Sequence, residues 1–516
     1  MLLVGNILTH AAQRWPNRTA LVDENGRSFT YAEWNTRVNR LANALARLGI
    51  GRGDRVAFYL RNVEALASAH LATQKLGAVS VPLNFRLREG EIPIIVDDSG
   101  TRILIFERQF ISRIERARPE LGRVERFISV GTGERADALD FETLLRDAPG
   151  DEPHASIQTD DLGVLMYTSG TTGRPKGVMI THQHQWVNTV LCGWEMGITA
   201  DDRTLHVAPL YHSAAYHNFL LPHVMVGGCN VLMPSVDPER IAATLARERI
   251  SILFGVPTIY ALLAESNPSW WDRAALAKLR LCVSSSAAIR PDTVEWIREH
   301  LCRTYSNVYG LTETSGNVTI LEPEQVHRFG AVNCIGRSLI GMETRVVRAS
   351  RDEDVMPEEE VGVGEIGQLI VRGPKVMRGY LNRPEQTADK LRHGWLYPGD
   401  LVYRDADNYY YILDRLDDAI SVGAEIVYPK EVERVLDRHP GIKQSAVIGV
   451  PDAIWGQVVK AFVVASADVT SQEVREFCRK SGELATFKVP REVQIVAEIP
   501  TNPSGKVLKR ELRELG

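Results

Sequence analysis

From Arg55 onward, short apolar runs alternate with longer stretches of helical spacing. VAFYL, an alanine-rich stretch from Glu64 to Lys75, and VSVPL read as strand, helix, strand, the order that builds a parallel sheet covered by helices. The same alternation continues through ILIF near Ile103, RFISV near Arg126, the helical IAATLARER from Ile241, the apolar ILFGV, and LRLCV ending at Val283. After Thr344 the texture changes. VGVGEIGQLIVRG and DADNYYYIL place short strands between Gly and acidic turns, which predicts an antiparallel β region. Beyond Asp414 the order is helix YPKEVERVLDRH, strands SAVIGV and VVKAFVVA, helix SQEVREFCRK and strand REVQIV. The pattern predicts an α/β protein with a large N-terminal domain of layered parallel sheets, residues 1–413, and a small α+β C-terminal domain, residues 414–516.

Length supports two domains, because 516 residues exceed what one hydrophobic core usually serves. A net charge of −5 gives no electrostatic footprint for nucleic acid or an anionic membrane, so any phosphate chemistry must be local. The six cysteines contain no C-x-x-C pair, which argues against a zinc site or disulfide framework and for a reducing compartment. The N-terminal MLLVGNILTHAAQRWPNR lacks a signal-peptide pattern. The most apolar window, from Ile250, is too short to span a bilayer and contains Pro257. A cytoplasmic protein without a membrane span or nucleic-acid partner is expected.

YTSGTTGRPKGV, from Tyr167 to Val178, is the most informative stretch. Its glycines free the backbone to curl around an anion, its hydroxyl residues supply donors, and Lys176 adds a point charge. It is not a Walker A loop, since no Gly-Lys-Ser/Thr closes it. By composition alone it is either a phosphate cradle or a flexible surface turn.

Its neighbours decide between these. PLYH from Pro209, VYGLTETSG from Val308, GEIGQLIVRG from Gly364, GWLYPGD from Gly394, DRLDDAISVGAEIVYP from Asp414 and PTNPSGKVLKREL from Pro500 follow in order. Together with the loop they resemble the adenylate-forming superfamily, and within it the AMP-dependent acyl- and aryl-CoA synthetases. The resemblance implies a β-barrel-like subdomain, a mobile C-terminal domain, and two half-reactions: a carboxylate attacks the α-phosphate of ATP, then a thiol, commonly that of coenzyme A, takes the acyl group.

The site residues implied by the resemblance each suit their place chemically. Thr168, Ser169, Gly170, Thr171, Thr172 and Lys176 would hold the β- and γ-phosphates. Glu313 would ligate Mg²⁺, with Thr168 a second candidate, and Thr312 would donate to the α-phosphate or the reacting carboxylate. Asp400 would accept both ribose hydroxyls, Tyr309 would offer a flat face to adenine beside Ser286 and Ala287, and Arg415 would contact ribose or phosphate. Lys506 would bridge the substrate carboxylate and the α-phosphate in the transition state. His212 is either a gate near the carboxylate or a structural histidine. Tyr211, Tyr216, His217, Ser284, Ser285 and Gly310 are candidates for the acid pocket, as are Trp186 and Trp194, and they favour an aromatic or compact acid. A homodimer is a further possibility that the resemblance leaves open.

Three places depart from the family pattern. Ser284-Ser285-Ser286-Ala287 stands where Ser-Gly-Gly-Ala is usual, which disfavours a bulky apolar acid. Pro398 replaces a usual Thr and removes one N–H and one hydroxyl. Arg415 and the hinge residue Asp417 are kept, but Ala424 falls on the glycine beside which the pantetheine arm passes, unless Gly423 serves that role one residue earlier. Two alternatives therefore stand beside the CoA ligase. One is an adenylating enzyme with another acceptor, a carrier-protein thiol or an amine, including activation of nitrite for diazotisation of an aryl amine. The other is an inactive nucleotide-binding homologue.

Overall fold

The structure, a computed structural model, describes residues 2–131, 137–168, 175–287, 289–329, 333–423, 425–466, 469–501 and 507–515. Two large sheets share the N-terminal part. The first has seven strands in the order Leu139–Asp140, Arg126–Val130, Ile103–Glu107, Arg55–Tyr59, Val79–Pro82, Leu162–Thr168, Lys176–Thr181. All its neighbours are parallel except the last pair, which forms an antiparallel hairpin. The helix Glu64–Lys75, between the first two predicted strands, is buried at every position. Its small residues, four of them Ala, let it pack on all sides, while its buried polar side chains find partners inside the protein, as Ser68 does with Glu64 and Thr73 with Ser80.

The second sheet has fifteen strands and changes character along its width. Arg203–His206, Ile252–Gly255, Leu281–Ser284 and Tyr305–Leu311 run parallel. At Tyr305–Leu311 the direction rule breaks: Gly316–Leu321 pairs with it antiparallel, and Asn333–Ser338, Tyr410–Arg415, Asp400–Arg404 and Gly367–Arg372 continue antiparallel. The antiparallel region expected after Thr344 is thus an extension of the parallel sheet, hydrogen-bonded to it throughout. The turn Thr312–Thr314 sits at the reversal.

The last strand of this sheet ends at Arg415, and a separate five-stranded sheet begins at Ile420. In it the long antiparallel pair Ile442–Asp452 and Gly456–Ala465 carries Glu492–Ile495 in parallel at one side. Val432, Val435, Leu436, Val474 and Cys478, from the helices Pro429–Leu436 and Ser471–Lys480, cover one face. Leu512, from the terminal helix Lys509–Leu515, covers the other against Ala446, Ile448 and Phe462. Local signals agree with this: Thr470 and Glu473 form a reciprocal capping box at the start of Ser471–Lys480. All six cysteines are free and buried. Among the described residues no helix is long and apolar enough to cross a membrane.

Candidate active site

The hairpin at the edge of the seven-stranded sheet sets the first element. Thr168 and Lys176 are cross-strand partners at the end where its two strands are joined. Ser169, Gly170, Thr171 and Thr172, between them, lie outside the described residues. The segment 377–381 runs alongside this hairpin, with Leu381 N donating to Gly177 O at 2.8 Å and Met179 N to Gly379 O at 3.0 Å. It ties the hairpin to the sheet reversal, because Met377 N donates to the Glu313 carbonyl at 2.7 Å. Tyr380 Oη donates to Glu313 Oε1 at 2.7 Å, and the Lys176 ammonium stands 5.0 Å from the Tyr380 ring centroid. Burial and the nearby Lys390 lower the pKa of Lys176, while the charges of Glu313, Asp389 and Asp417 oppose that. A cation, a phenol and a carboxylate are therefore held together where two sheets meet. Tyr380 was not singled out from the sequence; it lies seven residues past the GEIGQLIVRG run, and only the backbone pairing brings it to Glu313.

A second cluster lies on the antiparallel side of the reversal. Asp400 and Arg415 are register partners on adjacent strands, and Arg415 Nη1 donates to Asp400 Oδ1 at 2.9 Å. Tyr309 Oη donates to Asp400 Oδ2 at 2.6 Å. Burial, then the Asp400 charge, pushes the Tyr309 phenol well above its ordinary range, so it stays protonated as a donor. The sequence candidates Tyr309, Asp400 and Arg415 thus form one unit, with Tyr309 and Asp400 buried and Arg415 partly exposed. Thr312 opens the turn that leads from Tyr309 to Glu313.

The remaining candidates lie behind that turn. His217 Nδ1 is 2.8 Å from the Ser315 carbonyl. Burial drops its pKa to about 3, so the ring is neutral, Nδ1 carries the proton, and Nε2 is a buried acceptor without a partner among the described residues. His212, lowered by burial to about 4, packs 4.4 Å from the Tyr211 ring, and neither His212 Nε2 nor Tyr211 Oη has a partner among the described residues. Tyr216 is fully buried and stacks on His70 at 4.0 Å; His70 was missed in the sequence because nothing around it departs from an ordinary buried helix. Gly310 has a packing reason to be glycine, since a Cβ there would overlap the Gly316 carbonyl. Ser284 and Ser285 are buried at the end of the neighbouring strand. Trp194 is 73% exposed, unlike the buried Tyr211, Tyr216 and His217. Trp186 is only partly buried and packs against the main core.

Against known proteins, the model for "AMP-binding enzyme" matches residues 8–381 and that for "AMP-binding enzyme C-terminal domain" matches residues 431–506. The chain belongs to the AMP-binding enzyme family. A feruloyl-CoA synthase of Amycolatopsis sp is 38% identical over 514 residues, covering 99% of this chain and 98% of the relative. A long-chain-fatty-acid–CoA ligase of Mycobacterium tuberculosis is 35% identical over 494 residues, 94% of this chain and 93% of the relative. Among solved structures, the anthranilate CoA ligase AuaEII in complex with anthranoyl-AMP superposes with a TM-score of 0.88 at 27% identity, covering 99% of this chain and 97% of that one. The recognition made from the motifs is thereby confirmed at the level of the adenylate-forming superfamily.

Within this AMP-binding enzyme the departures take physical form. Ser286, at a position where glycine is usual, has φ +77°. An L-residue in that region carries about 1–2 kcal/mol of strain. Ser286→Gly is expected to stabilise the N-terminal part by about 1 kcal/mol, read as a rise in the urea midpoint at unchanged slope. Near the hinge, Val422 pairs with Glu425. Gly423 has φ +61°, a backbone conformation that favours glycine. Ala424 lies outside the described residues, as does Lys506; Thr501 and Val507, on either side of Lys506 in the sequence, form an antiparallel bridge. Asp417 sits in the single turn Leu416–Asp418 between the two sheets, where Arg351 donates to the carbonyl of Ala419 at 2.6 Å and to that of Leu416 at 2.9 Å.

Proposed function

We propose that this enzyme uses ATP to convert a small or aromatic carboxylic acid to its acyl-adenylate and then transfers the acyl group to coenzyme A. The observation that carries the reading is the placement of Tyr309–Asp400–Arg415 and Lys176–Tyr380–Glu313 on either side of one sheet reversal. The CoA-ligase names of full-length relatives support it.

In the first step a carboxylate oxygen of the acid bonds to the α-phosphorus, and the bond to the bridging oxygen breaks, so pyrophosphate leaves with the electron pair. Asp400, positioned by Tyr309 and Arg415, accepts the ribose hydroxyls through its carboxylate. Arg415 keeps a permanent charge beside ribose or phosphate. Tyr309, with Ser286 and Ala287, borders adenine. Lys176 and the loop Thr168 to Thr172 hold the outer phosphates, Thr312 donates to the α-phosphate, and Lys506 stabilises the charge gathering there. Glu313 suits a Mg²⁺ ion accompanying ATP. A single carboxylate of this kind would hold the ion together with substrate phosphates and water. Such an ion neutralises phosphate charge. His212, neutral at physiological pH, suits a gate better than a proton carrier.

In the second step the C-terminal part, residues 414–516, turns about Asp417. Lys506 withdraws, the thiolate of coenzyme A attacks the acyl carbon, and AMP leaves. Ala424 would narrow the pantetheine path: one added Cβ against a snug ligand costs about 1–3 kcal/mol, so Ala424→Gly is expected to speed thioester formation about tenfold to a hundredfold with adenylation unchanged. The same residue motivates the second reading, in which the adenylate is passed to a carrier-protein thiol or an amine, including nitrite activation for diazotisation. Incorporation of labelled pyrophosphate into ATP, dependent on an added acid, tests the first half-reaction. Absence of exchange with every acid of a broad panel, nitrite included, would leave only an inactive nucleotide-binding homologue.

A further inference from the structure

Three lysines are buried among the described residues, and they differ in one respect. Lys75 pairs with Glu152 at 2.7 Å and Lys460 with Glu492 at 3.4 Å. Lys375, with none of its surface exposed, pairs with no carboxylate among the described residues. Its ammonium donates to Asn188 Oδ1 at 2.7 Å and to the Asn317 carbonyl. An ammonium held in a protein interior by neutral dipoles alone is costly, and such a group persists where it has work to do. Burial lowers its pKa to about 8, which leaves it mostly cationic at neutral pH.

The surroundings are as ordered as the cation. Asn188 Nδ2 donates to Asn218 Oδ1 at 2.9 Å and to the His217 carbonyl at 3.2 Å. Asn218 Nδ2 donates to Asn317 Oδ1 at 2.8 Å. Gly316 lies against this layer, and a Cβ on it would overlap the side-chain amides of both Asn218 and Asn188. Gly316 also faces Gly310, so the amides stand directly behind the two glycines that follow Tyr309. The charge of Lys375 reaches His217, whose buried Nε2 is an acceptor without a partner among the described residues. The amide donors of Asn188 are spent within the layer, but the Lys375 ammonium has a third N–H beyond its two bonds, and this donor with the acceptor Nε2 matches a group that both accepts and donates. A hydroxyl does this; a methyl, a hydrogen or a carboxylate does not.

We infer that Lys375, acting through Asn188, Asn218 and Asn317, makes the inner end of the acid pocket select an acid bearing a hydroxyl group distal to its reacting carboxylate. This rests on the proposed adenylation and on His217 and Gly310 bordering the acid. Lys375 is a specificity-determining residue here, with no part in the chemical step.

The test uses the full-length enzyme and acid-dependent pyrophosphate exchange. Matched acids are compared: benzoate, 4-hydroxybenzoate and terephthalate, and cinnamate with 4-hydroxycinnamate. In the unsubstituted enzyme the hydroxy acids are expected to exceed their unsubstituted partners roughly 10²-fold in kcat/KM, with terephthalate below 4-hydroxybenzoate. In Lys375→Met the hydroxy preference is expected to fall to about threefold or less, while affinity for a fluorescent ATP analogue is unchanged. Lys375→Gln, which keeps an N–H donor group but not the charge, is expected to fall between. Equal use of both members of each pair by the unsubstituted enzyme, a preference for terephthalate, or an unaltered ratio in a folded Lys375→Met would each overturn the inference while leaving adenylation intact. The unsubstituted enzyme's ratio is decisive even if the variants fail to fold. No exchange with any acid would overturn the adenylation reading, and this inference with it.

Discussion

Asp400→Ala is expected to lower kcat/KM for ATP by roughly 10²–10³. Two hydroxyls of ribose lose a charged acceptor, and hydrogen bonds to charged groups are worth about 1.5–3 kcal/mol each. The same change removes the counter-ion of Arg415 at 2.9 Å and the acceptor of Tyr309 at 2.6 Å. Breaking a fully buried ion pair costs about 3–5 kcal/mol. Here the cost should be about 1–3 kcal/mol, because the Arg415 side chain keeps 27% of its surface in solvent. Asp400→Asn separates the two effects: it keeps shape and a carbonyl acceptor for Arg415, so most of the stability should return while most of the ATP defect stays. Steady-state kinetics in ATP and a urea titration of both variants provide the check, and recovery of ATP use in Asp400→Asn would argue that the residue only holds Arg415 in place.

Lys506→Ala carries the second large effect. Loss of a donor at the developing charge typically costs about 10²–10³ in rate, so acid-dependent pyrophosphate exchange should fall by that factor. Thioester formation from a pre-made adenylate and coenzyme A, followed by mass spectrometry, should be spared, because in the proposed second orientation Lys506 is withdrawn. Equal loss of both half-reactions would remove the assignment of two orientations turning at Asp417.

Much of this was readable in the chain because neighbouring residues carried it. Arg55–Tyr59, Glu64–Lys75 and Val79–Pro82 follow their hydrophobic periods, and ordered motifs placed Tyr309, Asp400 and Arg415 in one site before any contact was known. What could not be read depends on tertiary phase or backbone angle. Trp194 was a pocket candidate, yet the buried positions of its helix include His182, Gln185, Asn188, Thr189 and Cys192, a face so polar that hydrophobicity points the wrong way. Lys375 and Tyr380 are an ordinary lysine and tyrosine in sequence; only the pairing of 377–381 with the hairpin and the burial of Asn188 and Asn317 give them surroundings. The strain at Ser286 is a matter of φ, hinted at by a missing glycine and fixed only by the fold.

The most direct measurement of the central claim is the time course of pyrophosphate release with the best acid, run with and without coenzyme A. A burst of about one equivalent per enzyme followed by slow release is expected without coenzyme A, and sustained turnover with stoichiometric AMP and acyl-CoA when it is present. Sustained release that coenzyme A leaves unchanged, with no thioester formed, would contradict the claim.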